Sequence, residues 1–234
     1  MSLTQYKKKR SFDDTPEPEG KKKSSARSLH FVVQKHDASR LHYDFRLEME
    51  GVLKSWAVPK GPSLNPQDKR LAMMVEDHPY DYRTFEGTIP EGNYGAGTVM
   101  VWDEGTYEAL DHEEEPVKKQ EKILLEELKK GDVKIVLHGE KLKGAFALVK
   151  MHKAVPSGKD EENTWLLIKK NDEKATENDI TKKDKSVKTG RSLTQIAEKT
   201  GGKPKKAFLP KKKRASPRLL DDRPAHVIKK KSPA

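Results

Sequence analysis

The residues best placed to do chemistry stand close together: His36, His42, Asp44 and Arg46. Arg40 to Met49 alternates almost perfectly. Leu41, Tyr43, Phe45, Leu47 and Met49 fall on one face of a strand, and Arg40, His42, Asp44, Arg46 and Glu48 on the other. Residues two apart on a strand sit about 7 Å apart on the same side. That spacing lets an imidazole and a carboxylate converge on one metal ion, with a guanidinium beside it for a metal-bound phosphate. His36 lies upstream, across the polar bend Asp37-Ala38-Ser39, and a turn there brings it back towards His42. Two imidazoles and one carboxylate form a mixed N/O donor set that suits Mn²⁺, Fe²⁺ or Zn²⁺. On spacing alone the pattern also describes any half-exposed antiparallel strand, so both readings stand.

Other groups are less specific. Glu76-Asp77-His78-Pro79-Tyr80-Asp81-Tyr82 follows a strand and reads equally as a loop histidine facing a substrate or as a turn capping the core edge. Ile89 to Gly97 holds glycines at 92, 95 and 97, which permit positive φ or close backbone approach. No helix follows it, so a tight loop entering the next strand fits better than a phosphate cradle. Lys60 and Arg70 flank a loop and could bind phosphate, as many surface cations could.

These groups need strands to position them. Leu29–Gln34, Arg40–Met49, Val52–Val58, Arg70–Glu76, Gly97–Asp103, Asp132–Leu137, Ala145–Met151 and Thr164–Lys169 all read as strands, with Gly51 as a hairpin turn. Lys118–Lys130 reads as a helix with Ile123, Leu124, Leu125 and Leu128 on one side and Gly131 as its stop. A shorter helix fits Ser192–Lys199. The expected fold is mostly β, a small closed or crescent-shaped barrel with one or two flanking helices. Residues 1–27 read as a basic arm without periodicity, 28–174 as the barrel domain, and 175–234 as a basic, flexible tail.

Of 234 residues, 33% are hydrophobic and 36% charged, which is lean for a fully folded chain. There is no cysteine, so a disulfide framework and a thiolate metal site are both excluded. No apolar run reaches the roughly 18 residues of a membrane span, and the N-terminus lacks an apolar signal core. A cytoplasmic place is expected. The net charge is +11 but uneven: 175–234 carries 18 basic and 6 acidic residues (+12), leaving 48−18 = 30 basic and 37−6 = 31 acidic (−1) for 1–174. A cationic tail is an electrostatic handle for a polyanion.

Longer runs carry a resemblance. Phe31-Val32-Val33-Gln34-Lys35-His36-Asp37-Ala38-Ser39-Arg40-Leu41-His42-Tyr43-Asp44-Phe45-Arg46-Leu47 closely resembles the 3′-phosphoesterase domain of bacterial DNA ligase D and its free-standing bacterial and archaeal relatives. The likeness continues through Leu53–Pro62, Glu76-Asp77-His78-Pro79, Phe85-Glu86-Gly87 and Pro90–Gly97. It fades through Phe146–Lys150 and Trp165–Lys169, and covers roughly residues 6–175.

The resemblance implies a small β barrel with its site on a concave face. It implies Mn²⁺-dependent removal of a 3′-terminal phosphate, with other divalent metals such as Co²⁺ or Zn²⁺ as alternatives. It also implies trimming of a 3′-terminal ribonucleoside at a primer–template junction, both reactions leaving a 3′-OH. Carried over by motif, His36, His42 and Asp44 are the metal ligands. Arg46, Arg70 and His78 contact phosphate, and Lys60 and Tyr82 lie near. His78 has two candidate roles, stabilising the transition state or donating a proton to the leaving oxygen. In the arm, Arg10-Ser11-Phe12 and Thr15-Pro16-Glu17-Pro18 resemble the family's arm, which makes Arg10 and Glu17 contributors; Ser11 stands where an acidic residue is usual.

The implied partners are DNA 3′ ends, primer–template duplexes and a separate ATP-dependent DNA ligase, polymerase or Ku-type end-binding protein, in a prokaryotic, nucleoid-associated setting and with no membrane. The chain is short and has no Lys-x-Asp-Gly motif, so the stand-alone form is expected. The rival reading is a non-catalytic module that binds DNA ends, or a scaffold for a ligase.

Overall fold

The computed structural model describes residues 3–20, 27–151 and 163–202. Its strands are β1 (Leu29–Asp37), β2 (Leu41–Met49), β3 (Val52–Val58), β4 (Lys69–Pro79), β5 (Gly87–Ile89), β6 (Gly97–Ala109), β7 (Asp132–Gly139), β8 (Lys143–Lys150) and β9 (Thr164–Lys169). All pairings are antiparallel, in the order β1-β2-β3-β4-β9-β8-β7-β6. β6 also pairs with β1, which closes an eight-stranded barrel. The length of β6 makes closure feasible: one edge runs along β1, while its other edge serves β5 at the start and β7 at the end. Among the described residues three α-helices accompany the barrel: α1 (Leu3–Lys8), α2 (Val117–Lys130) and α3 (Leu193–Lys199). Among the described residues, no helix is long and apolar enough to cross a membrane.

One face of every barrel strand contributes to a single core. Phe31, Phe45, Trp56, Ala72, Trp102, Ile135, Phe146 and Trp165, one from each strand, are all buried in it. α2 adds Leu124, with Ile123, Leu125 and Leu128 partly buried, and ends at Gly131 with φ of 80°. The expected stripe and stop are both present.

The opposite face of β1–β3 is also covered, which sets aside the half-exposed reading of β2. From Tyr43 to Met49 every β2 residue is buried. A second cluster explains this: Tyr6 of α1, Val32, Leu53, Tyr82, Phe85, Ile89, Val99 and Val101 pack together on that side. The arm therefore folds back on the barrel as a layer, and residues 3–8 form a helix that the sequence pattern did not show. Likewise β4 runs on to Pro79, so Glu76-Asp77-His78 lies in a strand rather than a loop.

The expected tail boundary at 175 is corrected. Ile180, Ile196 and Ala197 are buried, and Trp102 Nε1 donates to the Lys183 carbonyl at 2.6 Å. Ser192 caps α3 through a capping box with Gln195 at the start of the short helix expected there. Residues 175–202 carry 6 basic and 4 acidic side chains (+2), so +10 of the tail's +12 falls on 203–234, outside the described residues.

Candidate metal centre and its covering arm

The β1–β2 hairpin makes His36 and His42 direct cross-strand partners, with ring centroids 4.8 Å apart. Asp44 stands two residues along β2 on the same face. His36 Nδ1 lies 3.6 Å from Asp44 Oδ2, and His42 Nε2 lies 3.7 Å from Asp44 Oδ1. Both separations exceed a hydrogen bond. They are close to the roughly 3.4 Å edge of a tetrahedron with bonds of about 2.1 Å to a central ion. One ligand atom from each residue lies within 4.8 Å of the others.

The outer partners set which nitrogen faces inward. His36 Nε2 donates to the Gly95 carbonyl and His42 Nδ1 to the Arg40 carbonyl, each at 2.9 Å. Each ring then keeps its proton on the outer nitrogen, and an unprotonated nitrogen points at Asp44. Burial opposes the charge on Asp44, but the Arg46 guanidinium beside it holds the carboxyl well below the usual range. A deprotonated carboxylate with two imidazoles is a donor set that fits a divalent cation.

Arg46 is locked beside this centre. Nε donates to Gln34 Oε1 at 2.8 Å, Nη1 to Ser55 Oγ at 2.9 Å, and Nη2 pairs with Asp44 at 3.1 Å. Gln34 is itself held by the Tyr82 and Phe85 carbonyls. A guanidinium has five N–H groups, so two remain after these three bonds. The Tyr82 ring lies beneath Arg46, with the guanidinium carbon 5.0 Å from its centroid.

The arm completes the wall. Arg10 Nε donates to Glu17 Oε1 at 2.9 Å, and its Nη2 reaches His78 Nε2 at 3.3 Å. Glu17, fully buried in its side chain, also accepts from Tyr82 Oη at 3.0 Å. Lys9 and Arg10 both pair with Glu76. His78 Nδ1 donates to the Glu76 carbonyl at 2.9 Å. Burial, with Arg46 and Arg10 alongside, holds His78 neutral by pushing its pKa well below the usual 6.5. Ser11 donates to Asp14 and takes no part.

So the fold gathers His36, His42, Asp44, Arg46, His78, Tyr82, Arg10 and Glu17. Arg70 and Lys60 are not brought in. Arg70 starts β4 on the core-facing side, where Nη2 pairs with Asp68 at 2.8 Å, and Lys60 stands exposed in the turn after β3. Gln34 and Ser55 were not singled out from the sequence, and Glu76 and Gly95 were noted only as members of their clusters, without these roles. Gln34 shares the face of His36 on β1, which was the available signal; Ser55 is set beside Arg46 by the pairing of β2 and β3.

Comparison with known proteins places the chain in a family. Residues 34–150 match the family described as the DNA Ligase D 3'-phosphoesterase domain. The chain is 50% identical over 175 residues to the "Multifunctional non-homologous end joining protein LigD" of Pseudomonas aeruginosa, covering 74% of this chain and 19% of that protein. It is 44% identical over 149 residues to the "Multifunctional non-homologous end joining DNA repair protein LigD" of Mycobacterium tuberculosis, covering 63% of this chain and 18% of that one. A Mycolicibacterium smegmatis protein of the first name is 40% identical over 173 residues, at 74% and 21%. The chain thus spans about a fifth of the length of these relatives. With half its residues matched by the family model and relatives at 40–50% identity, the chain belongs to the DNA ligase D 3′-phosphoesterase domain family.

Proposed function

We propose that this protein is a metal-dependent phosphoesterase that heals DNA 3′ ends for end joining. It removes a 3′-terminal phosphate, and trims a 3′-terminal ribonucleoside, to leave a 3′-OH. The observation that carries this reading is the convergence of His36 Nδ1, His42 Nε2 and the Asp44 carboxylate, each ring oriented by a backbone carbonyl.

His36, His42 and Asp44 would hold a divalent cation such as Mn²⁺, which would supply Lewis acidity when bound. The two spare N–H groups of Arg46 bind phosphate oxygens and offset charge as a water attacks phosphorus in line and the leaving 3′ oxygen departs. Gln34, Ser55 and Tyr82 fix Arg46 so that little reorganisation is needed. Neutral His78 positions Arg10 at rest. A bound phosphate adds negative charge between Arg46 and Arg10, which favours protonation of His78 and fits it to assist the leaving oxygen.

The expected partners are primer–template ends and a ligase, polymerase or Ku-type protein on another polypeptide, by analogy with the joined functions named for the relatives. The test is phosphate release from a 3′-phosphorylated primer and from a 3′-ribonucleotide primer across Mn²⁺, Co²⁺ and Zn²⁺. Release with the wild type and none with His42→Ala or Asp44→Ala is expected. Near-normal release by either variant refutes the metal assignment, and a wild type that binds ends but releases nothing is a binding module.

A further inference from the structure

Among the described residues, the large hydrophobic side chains left exposed are Leu71 and Tyr94, at 43% and 48%. Tyr94 belongs to no strand and neither apolar cluster. It sits in the β5–β6 loop between Gly92 and Gly95, whose φ values of 89° and 78° suit glycine alone. The next carbonyl in the chain, that of Gly95, is the one that orients His36. One peptide unit therefore ties the ring to a metal ligand. From the arm side Lys9 Nζ lies 4.6 Å from the ring centroid and 3.2 Å from the hydroxyl. Arg10, which also touches His78, lies 5.4 Å from the same centroid. An exposed aromatic ring flanked by cations, at the lip of a phosphate site, has the features that hold a nucleic-acid end: cations for the backbone, a π face for the base.

We propose that Tyr94 is the stacking platform for the 3′-terminal nucleobase, so that the site recognises an end that carries a base. This rests on the 3′-phosphoesterase reading above. With the phosphate on the ligands and Arg46, the attached sugar and base extend along the β5–β6 loop to the ring. Stacking tolerates any base, because every base offers a π face.

The test uses the full chain and a labelled 3′-phosphorylated primer–template whose terminal nucleotide is either ordinary or abasic. Binding is read by fluorescence anisotropy in Mn²⁺ and in EDTA. The wild type is expected to prefer the ordinary end by about tenfold. Tyr94→Ala is expected to bind both ends alike, at the abasic level. Tyr94→Phe, which keeps the ring and loses the hydroxyl that meets Lys9, is expected to keep the preference; this separates stacking from docking of the arm. A wild type without preference in either condition, a preference surviving in Tyr94→Ala, or its loss in Tyr94→Phe would overturn the proposal. If the wild type releases no phosphate yet shows the Tyr94-dependent preference, the enzyme reading falls and this one stands.

Discussion

Replacing Glu17 by Ala removes the buried charge that pins the arm to the barrel. The Glu17 carboxylate accepts from Arg10 Nε at 2.9 Å, from Tyr82 Oη at 3.0 Å and from Thr15 Oγ1 at 3.3 Å. Arg10 and Glu17 side chains are 4% and 0% exposed, so solvent screens this pair little. Removing one partner of such a pair costs about 3–5 kcal/mol, because the other charge stays buried and unpaired. The barrel need not bear that cost. Its core takes no residue from the arm, whereas the second cluster relies on Tyr6. The arm is therefore expected to undock while the barrel stays folded. At about 1.4 kcal/mol per tenfold, undocking rises by roughly 100-fold or more, up to the point where the arm is mostly open. Limited trypsin digestion reads this directly, because Lys7, Lys8, Lys9 and Arg10 lie on the arm. Cleavage there should speed up by that factor, with the thermal midpoint nearly unchanged. Lys7→Ala, which breaks an exposed pair with Glu19, should change arm cleavage little. Unchanged cleavage in Glu17→Ala, or joint melting of arm and barrel, would refute the reasoning.

Gly97→Ala should lower stability by about 2–3 kcal/mol in urea, since φ is 144° and a Cβ would meet the Asp37 carbonyl oxygen at 2.3 Å; an unchanged midpoint refutes the crowding. The His78 ring is held neutral in the fold, while in the unfolded chain it takes a proton below about pH 6.5. The unfolded state then binds more protons, so this contribution is present above pH 6.5 and is lost as pH falls below it, by up to about 1.4 kcal/mol per pH unit. Denaturation midpoints from pH 7 to 5 should fall less steeply for His78→Gln, and parallel profiles would contradict the assignment. Truncation after residue 174 should cost at least about 3 kcal/mol, since it removes Ile180, Ile196 and Ala197 from burial. Truncation after 202 should leave the melting temperature alone and flatten the salt dependence of DNA binding, because +10 of charge is lost; equal melting of both truncations would restore the boundary at 175.

How much was legible without coordinates depends on the range of the interactions. Patterns local to one element were readable. The alternation of Arg40 to Met49 placed His42 and Asp44 on one face, and the polar bend before it returned His36 to them. Val52–Val58 and Thr164–Lys169 matched to the residue, the α2 stripe and Gly131 stop were present, and a short helix formed within 192–199. The short β5 escaped notice, because three residues carry no resolvable period.

What joins distant segments was decided only by the tertiary structure. Closure of β6 onto β1 depends on strand length and twist, which no periodicity encodes. The inward nitrogen of His36 is set by a carbonyl 59 residues away. The arm looked unstructured because its support is Tyr6 and Glu17 against Tyr82, a contact made across the chain. Arg46 and Arg70 looked alike as phosphate binders. A long basic side chain has no signature of where it ends, so only packing separated the one beside the candidate metal ligands from the one paired with Asp68. The types and spacing of His36, His42 and Asp44 were written in the chain; their closeness, burial and protonation came from the barrel and the arm that enclose them.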